Sequence, residues 1–287
     1  MSRHCSLRLL LLPVGLLAAS CAEPLAEPDV VYVEPRDPCA AHSPLRQAYF
    51  GDLHVHTSLS FDAYAFDVRV TPEQAYRFAQ GEEIGLPPLD AMGQGTRKIR
   101  LGRPLDFAAV TDHSEFLGEV QACITPSAQG YGSLTCQRYR QGGNSAITNL
   151  GFQLALDNRQ RIEDICPPDG SGCAELMSAT WSRLQAAARS AYDKSASCRF
   201  TSFVAYEYSS APALSTMHRN VIFRNDRVPL PVTHYEEPTP QGLWQALDAA
   251  CRHARTGCDV LAIPQNTNNC NGKMFRIEYP EGASLEE

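Results

Sequence analysis

Apolar stretches that indicate buried strands recur along this chain, and helix-like stretches lie between them. The strand-like stretches are "AYFGDLHVHT", "LDFAAVTDH", "FTSFVAYEYSS", "RNVIFRN" and "CDVLAIPQN". Strands that are apolar along most of their length and alternate with helices are typical of a mainly parallel sheet covered by helices. The sequence therefore predicts the α/β fold class.

Helix start signals and helical periodicity place the intervening segments. Helices are predicted after Thr71, over 146–164, over 173–193 and over 239–255. Thr71 and Pro72 supply an N-cap and a first helical residue, and a second Thr-Pro pair precedes the last of these helices. The Gly- and Pro-rich stretch over 81–104 is treated as an irregular excursion between elements.

One strand-like run carries polar side chains in an unusual place. In "FGDLHVHTSLSFD", the alternation of side chains along a strand puts Asp52, His54 and His56 on one side. Leu53 and Val55 are then expected on the other side. Two imidazoles with nearby carboxylates make metal binding the first hypothesis for this face, and hydrogen-bonded surface histidines are the alternative.

Polar clusters come at, or just after, the carboxyl ends of the predicted strands. They are His54 and His56 with Asp62, Asp112 with His113, Glu207 with His218, and Gln265 with Asn266. In parallel α/β folds, ligands gather at this edge of the sheet. Imidazoles and carboxylates together suit zinc, manganese or iron, so two or three divalent transition metals are the predicted cofactors. Glu207 lies in an apolar stretch, where an unpaired carboxylate is costly to bury, and this favours a ligand role.

Four spaced motifs carry a family resemblance: "GDLHVHTSLSFDAY", "LDFAAVTDHSEF", "VAYEYSS…MHRNVIF" and "AIPQNTNNCNGKMF". Through these motifs, in order over residues 47–276, the chain resembles the PHP (polymerase and histidinol phosphatase) superfamily. Its nearest branch is domain-of-unknown-function family 3604. The resemblance implies a distorted (β/α)7 barrel with a trinuclear metal site, and hydrolysis of phosphoesters by a metal-bound hydroxide.

The resemblance also implies a role for each matched residue. The implied metal ligands are His54, His56, Asp62, His113, Glu207 and His218. Glu207 matches the carboxylate that bridges two metals, and Asp112 is expected to orient His113, so these two acids are the candidate catalytic residues. Gln265 and Asn266 are the candidate substrate-binding residues.

Two departures from the family pattern bear on activity. Gln265 stands where the family has a ligand histidine, and its neutral oxygen is a poor substitute for imidazole at a transition metal. The family's final Asp-x-His motif has no counterpart before Glu287. The expected barrel is therefore incomplete at the C-terminus, with about five of seven strands, and the chain is expected to be truncated or part of a longer protein.

The N-terminus predicts export. Two arginines precede an apolar run of about ten residues, too short to span a bilayer, so residues 1–20 are predicted to be a signal peptide. The small residues before Cys21 resemble a bacterial lipobox, which favours a lipidated cysteine over a plain signal peptide. Residues 21–45 are predicted to be a Pro- and acid-rich tether, and residues 46–287 a PHP-like hydrolase domain. The expected location is the periplasm or outer membrane of a Gram-negative-type bacterium.

Charge and cysteine usage narrow the partners and the compartment. The chain has 32 acidic and 25 basic residues, a net charge of −7. This acidic balance, together with the lack of a basic stripe in the sequence, argues against nucleic acid as a partner. Apart from Cys5 and Cys21, nine of the 11 cysteines remain, and most are expected in disulfides in an oxidising compartment. The local candidate pairs are Cys123–Cys136, Cys166–Cys173 and Cys251–Cys258. An odd number leaves one thiol free or its partner outside this chain.

Two functions from different classes follow. The first is an exported metal-dependent hydrolase that acts on a small-molecule phosphoester or related ester and contacts the membrane through a lipid anchor on Cys21. The second is a catalytically impaired envelope lipoprotein that serves as a binding or interaction module, which Gln265 and the missing Asp-x-His motif favour. A zinc peptidase or amidohydrolase is a third possibility: the chain has no HExxH motif to support it, but the ligand types do not exclude amide substrates.

Overall fold

Five strands form the central sheet of this protein. The structure is a computed structural model that describes residues 33–156, 160–167, 171–265, 267 and 269–275. Its strands, in chain order, are β1 (Gly51–Val55), β2 (Ile84–Leu89), β3 (Gly95–Ile99), β4 (Phe107–Val110), β5 (Thr201–Tyr208), β6 (Arg219–Phe223) and β7 (Val260–Pro264). The central sheet has the order β1-β4-β5-β6-β7, and β2 pairs with β3 in a separate two-stranded sheet.

The central sheet is mixed, although four of its five strands point the same way. The pairs β1–β4 and β4–β5 are parallel, whereas β5–β6 and β6–β7 are antiparallel. The sheet is therefore less parallel than predicted, because β6 runs against the other strands. The connection from Tyr208 to Arg219 explains the reversal: it holds only one 3₁₀ turn and is too short for the helical crossover that a parallel pair needs.

This topology decides which side chains meet at one edge. The carboxyl ends of β1, β4, β5 and β7 all face the same edge of the sheet. The residue that precedes β6 reaches that edge from the opposite direction. Residues that follow four strands and precede the fifth are thus brought together.

The predicted barrel closure is not seen. Over the described ranges, β1 and β7 are the outer strands of an open sheet. The mixed α/β architecture and the five-stranded sheet agree with the predicted fold class and strand number. The (β/α)7 barrel and the C-terminal truncation stay predictions.

The described residues form seven α-helices. They are α1 (Phe61–Ala65), α2 (Pro72–Ala79), α3 (Leu117–Ile124), α4 (Leu134–Gln141), α5 (Gly143–Gly151), α6 (Ser171–Ala191) and α7 (Pro240–Leu247). The prediction over 146–164 is wrong in its second half: α5 ends at Gly151, a 3₁₀ helix follows over Phe152–Ala155, and residues 160–167 contain no helix. The excursion over 81–104 is also more regular than expected, because it contains the β2–β3 pair.

The predicted helix starts are capped by threonine. Thr71 Oγ1 accepts a hydrogen bond from Gln74 N, and the Gln74 side chain accepts one from Thr71 N, which completes a capping box. Thr239 Oγ1 accepts likewise from Gly242 N at the start of α7. Each such cap stabilises its helix by about 1 kcal/mol.

An aromatic core lies between the sheet and α6. Trp181, Tyr206 and Phe223 are buried, with ring centroids between 5.7 and 6.3 Å apart. Rings at this spacing, edge-on or tilted, pack favourably beyond the area they bury. The cluster on the opposite face of the sheet is smaller and consists of Ala109, Ala205 and Ile222. The apolar bulk of the domain therefore lies on the helix side.

Four disulfides cross-link the described residues. The three predicted local pairs are confirmed: Cys123–Cys136, Cys166–Cys173 and Cys251–Cys258. A fourth, Cys39–Cys198, joins residues 159 positions apart and is not among the predicted pairs. Cys270 is the described cysteine that remains a thiol, and it is buried. Four disulfides fit an oxidising, exported environment.

Part of the expected tether is held against the domain. Asp37 N and Ala40 N donate to the backbone carbonyls of Lys194 and Ala196. Arg36 contacts both sulfurs of the Cys39–Cys198 bond. The segment is therefore docked beside the chain that leads into β5, instead of extending freely.

The predicted signal peptide, residues 1–20, and Cys21 lie outside the described residues. None of the helices described is long and apolar enough to cross a membrane.

Candidate metal centre

The six predicted metal ligands meet at one edge of the sheet. They are His54 in β1, His56 just after it, Asp62 in α1, His113 just after β4, Glu207 in β5 and His218 just before β6. Three groups of them each bring one ligand atom per residue to within 4.8 Å of one another: His54–His56–Glu207, His56–Asp62–His113 and His113–Glu207–His218. His56, His113 and Glu207 each belong to two groups, so the six side chains form one connected cluster that could hold metal ions.

The meeting of the first two histidines does not depend on regular strand alternation. The register of β1 against β4 shifts between Asp52 and Val55. Leu53 and Val55 pack into different apolar clusters, so the expectation that they share a face is wrong. Asp52 is exposed and accepts a hydrogen bond from His54 N, away from the cluster. Both imidazoles nevertheless contact the same carboxylate, that of Glu207.

Glu207 lies at the centre of the cluster, with 1% of its side chain exposed. Its Oε2 is 2.7 Å from His56 Nε2 and 3.1 Å from His54 Nε2. Its Oε1 is 2.6 Å from His218 Nδ1 and 3.5 Å from His113 Nδ1. Burial raises the pKa of Glu207, but the charge and hydrogen bonds of the histidines outweigh it and hold the pKa well below its ordinary value. Glu207 is therefore an anion surrounded by imidazoles.

One oxygen of Glu207 indicates that the cluster fits a cation. Within the described ranges, Oε1 is buried and accepts no well-aligned hydrogen bond, although His218 Nδ1 and His113 Nδ1 lie 2.6 and 3.5 Å from it. A buried carboxylate oxygen without a donor is costly. A cation beside Glu207 and His218 would satisfy it, and the nitrogen and oxygen atoms on offer are ligands that zinc, manganese and iron accept.

A second carboxylate, Asp62, closes the cluster beside His56. Asp62 Oδ2 is 3.0 Å from His56 Nδ1 and 3.5 Å from His113 Nε2. Burial lowers the pKa of His56, but hydrogen bonds to Asp62 and Glu207 outweigh it and raise the pKa to about 10. Burial raises the pKa of Asp62, and the two histidines lower it by more, so it lies below its ordinary value. At neutral pH the metal-free cluster therefore holds a proton on His56.

His113 is the most buried imidazole of the cluster, with 5% of its side chain exposed. Burial is the main cause that lowers its pKa. The ring is therefore neutral at neutral pH, which is the form that binds metals. The hydroxyl of Ser209 lies 2.5 Å from its Nδ1.

Asp112 bonds to Thr57 and not, as predicted, to the His113 ring. In the part of the chain that the structure describes, its Oδ1 and Oδ2 accept hydrogen bonds from N and Oγ1 of Thr57, at 2.5 and 2.6 Å. Burial raises the pKa of Asp112 to about 6, against the effect of these hydrogen bonds. Asp112 thus holds the residue after His56 in place, and its catalytic role stays a prediction.

Gln265 lies beside the cluster, just after β7. Its Nε2 is 3.3 Å from His54 Nε2 and donates to Asn220 Oδ1 at 3.0 Å. Asn220 donates in turn to Leu53 O. An amide chain thus borders His54, the most exposed imidazole of the cluster. Asn266, the other predicted substrate-binding residue, lies outside the described residues.

Two serines that contact the ligands were not predicted. Ser60 Oγ donates to Asp62 Oδ1 at 2.7 Å and accepts from His113 N at 3.2 Å. Ser209 follows Glu207 by two residues, the same spacing that singles out His54 and His56, so a signal for it exists in the sequence. Ser60 has no comparable signal, because a serine just before a helix is also a common N-cap.

A fourth group of potential ligands is not a metal site. Glu119, Cys166 and Cys173 also bring one potential ligand atom each to within 4.8 Å of one another. The two cysteines form a disulfide, and Glu119 is paired with Arg161 Nη1 at 2.9 Å. No thiolate is left to bind a metal, and the carboxylate already has a cation.

Comparison with known proteins gives one match. A family model described as "Protein of unknown function (DUF3604)" matches residues 43–287. No curated protein and no solved structure gives a significant match. The match agrees with the branch that the motifs indicate, and the wider PHP relationship stays a prediction.

Proposed function

This chain belongs to the DUF3604 family, whose function is unknown, and we propose that it is a metal-dependent hydrolase with a multinuclear metal site. The observation that carries the proposal is the cluster of six ligands in three overlapping groups. Zinc, manganese and iron suit these nitrogen and oxygen ligands. Ligands shared between groups are what a site for two or three neighbouring cations requires.

The ligands divide into buried and accessible ones. Glu207 and His113 are almost fully buried, whereas His54 and Asp62 have 45% and 30% of their side chains exposed. A substrate would therefore reach the cluster past His54 and Asp62. The buried ligands would hold the cations from below and keep water away from that side.

The chain's own groups support hydrolysis at this position. Bound divalent cations would acidify a water molecule and neutralise the charge on a phosphate or ester oxygen. Glu207 and Asp62 are ionised at neutral pH, so they can hold the cations without first losing a proton. Gln265 donates one N–H to Asn220, and its second N–H faces His54 Nε2 at 3.3 Å, so it would be free for a substrate oxygen once a cation takes that nitrogen.

The choice of phosphoesters rests on the four motifs that resemble PHP proteins. Six ligands of this kind would also suit other esters, so the wider proposal is hydrolysis of a small-molecule ester and the narrower one is hydrolysis of a phosphoester. The cluster contains two carboxylates, so without metals it would repel an anionic substrate. Bound cations would offset this negative charge and allow such a substrate to approach.

A metal-binding module without catalysis is the second candidate, and Gln265 favours it. An amide instead of an imidazole beside His54 leaves the His54–His56–Glu207 group without a further nitrogen ligand. Such a group can hold a metal and still fail to support turnover. This alternative makes the same prediction for metal content and the opposite one for activity.

We also propose that the protein works outside the cytoplasm, as a periplasmic or outer-membrane lipoprotein anchored through Cys21. Four disulfides, one of which holds the segment that follows the predicted signal, support export. Labelling with a radioactive fatty acid, lost in Cys21→Ser, would test the anchor.

Metal content and hydrolysis together test the proposed function. The full chain, produced with zinc and manganese supplied, should carry at least one tightly bound transition metal and hydrolyse p-nitrophenyl phosphate or bis(p-nitrophenyl) phosphate. His56→Ala should lose both properties, because His56 belongs to two groups. His253→Ala, at a histidine 75% exposed and paired with Asp248, is the matched control and should keep both. A chain that holds metal but turns over neither ester favours the binding module, and a chain without metal contradicts both candidates.

A further inference from the structure

We propose that Ser209 is a positioning residue that makes Nε2, and not Nδ1, the nitrogen with which His113 binds a cation, an inference that rests on the proposed function. Ser209 would touch neither substrate nor metal. It would act only through the imidazole of His113.

His113 belongs to two of the overlapping groups but cannot serve both. Its Nε2 is 3.5 Å from Asp62 Oδ2, in the group with His56, and its Nδ1 is 3.5 Å from Glu207 Oε1, in the group with His218. A neutral imidazole carries a proton on one nitrogen and a free lone pair on the other. The nitrogen that is free decides which cation position gains His113.

Ser209 occupies Nδ1 at much shorter range than Glu207 does. Its Oγ lies 2.5 Å from His113 Nδ1, against 3.5 Å for Glu207 Oε1. Ser209 and His113 are both buried, so water does not compete for this hydrogen bond. A metal-bound imidazole needs an acceptor for its other N–H, and a hydroxyl oxygen is one. With Nδ1–H donated to Ser209, the Nε2 lone pair faces Asp62.

The place of Ser209 is fixed by the chain segment that carries His113. Ser209 N donates to Glu115 Oε1 at 2.8 Å, and Glu115 follows His113 by two residues. Glu115 is completely buried. His113 and Glu207 also form a parallel backbone bridge, which aligns the two segments. Ser209 is thus held through its backbone by Glu115 while its side chain holds His113.

The cation positions should therefore differ in strength. With His56 binding through Nδ1, the position between His56, Asp62 and His113 has three protein ligands, whereas the position beside Glu207 and His218 loses His113 and keeps two. We expect the first position to fill with metal before the second does.

Nitrogen NMR of the Zn²⁺-loaded full chain tests this without any variant of Ser209. The chain has 8 histidines, and His113→Gln identifies the signals of this ring by their loss. We expect Nδ1 to carry the proton and Nε2 to show the shift of a metal-bound nitrogen. A proton on Nε2 would overturn the role of Ser209.

Removal of the hydroxyl gives a second measurement. Ser209→Ala should weaken Zn²⁺ binding at one position by about 10- to 100-fold, as loss of a ligand's hydrogen-bond partner does. Ser210→Ala is the matched control, because Ser210 is equally buried but its Oγ donates to Pro238 O. Ser209→Thr keeps a hydroxyl and should restore most of the affinity. Equal Zn²⁺ affinity in Ser209→Ala and Ser210→Ala would overturn the inference, and if Ser209→Ala does not fold the wild-type spectrum decides.

These outcomes separate this inference from the proposed function. A wild-type chain that takes up no Zn²⁺ overturns both. A chain that takes up Zn²⁺ but carries its His113 proton on Nε2 overturns only the role of Ser209.

Discussion

Two buried glutamates in this fold face opposite surroundings. Glu119 is fully buried and its two oxygens accept hydrogen bonds from Arg161 Nη1, at 2.9 and 3.1 Å. Glu207 is almost as buried, but the groups around it are imidazoles. Both sit among residues that could hold a metal by distance alone. Only the second lacks a permanent cation.

The two sites differ in whether a metal ion can replace the positive charge beside the carboxylate. Arg161 stays protonated at any pH the fold survives, so the Glu119 site is complete as it stands. Burial raises the pKa of Glu119, and the charge of Arg161 offsets part of that rise. The histidines around Glu207 are bases that give up protons, and a metal can replace those protons. Short distances between acids and bases therefore identify both clusters. Whether a cluster can bind a metal depends on whether its bases can give up a proton, as histidine can and arginine cannot.

Removal of charge at Glu119 should have the largest effect, and on stability alone. Glu119→Gln leaves the partly buried guanidinium of Arg161 without its carboxylate, which we expect to lower the free energy of unfolding by about 3 kcal/mol, the lower end of the cost of breaking a buried ion pair. Urea unfolding followed by circular dichroism measures the loss. The double variant Glu119→Gln/Arg161→Met should recover much of it, and Zn²⁺ affinity of the folded chain should not change. Loss of metal binding in Glu119→Gln would show that Glu119, like Glu207, supports metal binding, and would contradict the distinction between the two glutamates.

The same substitution at Glu207 should affect metal binding and leave most of the stability. Glu207→Gln keeps the shape of the side chain but removes the negative charge that faces the histidines. We expect Zn²⁺ affinity to fall by at least about 100-fold, because a change at a ligand should cost more than the roughly 10- to 100-fold that loss of a ligand's supporting partner costs. Competition with a chromophoric chelator measures the affinity. Wild-type affinity in a folded Glu207→Gln chain would mean that Glu207 is not a ligand.

Metal binding should release a proton from His56. The pKa of His56 is raised to about 10 in the metal-free protein, so below that pH a cation must displace the proton. The affinity should therefore rise with pH, by up to about tenfold per pH unit for each proton displaced. Calorimetry in two buffers of different ionisation enthalpy, between about pH 6 and pH 8, counts the protons. A wild-type affinity that is flat with pH would show that His56 is not protonated in the metal-free protein.

Restoring an imidazole at position 265 should give the smallest change. Gln265 Nε2 already lies 3.3 Å from His54 Nε2, so Gln265→His brings a new nitrogen to the most exposed group of ligands. We expect Zn²⁺ affinity to rise by about tenfold, the scale of one modest additional interaction. Gln265→Ala, which removes the amide and adds no ligand, is the control. Equal affinities for the two variants would mean that this position lies too far from the metals.

The site residues at the carboxyl ends of parallel strands could be predicted from sequence. His113 and Glu207 follow or end apolar stretches, and parallel strands bring such ends to one edge. The three local disulfides were also within reach, because short separations leave few other partners. His218 belongs to the cluster for a different reason: it precedes the one reversed strand, and the short connection before it signals that reversal.

Other features depend on contacts that no local pattern encodes. Leu53 and Val55 lie on opposite faces because the register of β1 shifts, and strand alternation alone cannot show such a shift. Cys39 pairs with Cys198 across 159 positions of sequence, well over half the length of the domain. The hydrogen bond of Asp112 to Thr57, and not to His113, follows from how two neighbouring strand ends pack. These are properties of the assembled sheet.

The Cys39–Cys198 bond also determines how the domain would bear load. A pull on the amino end of the chain reaches Cys39 first, and the bond passes the tension to the segment that enters β5, in the middle of the sheet. The force thus bypasses residues 41–50 and β1. As an outer strand, β1 would otherwise peel away most easily, and it carries His54. If the domain is anchored by its amino end, a pull on the anchor would therefore leave the six predicted ligands in place at the edge of the sheet.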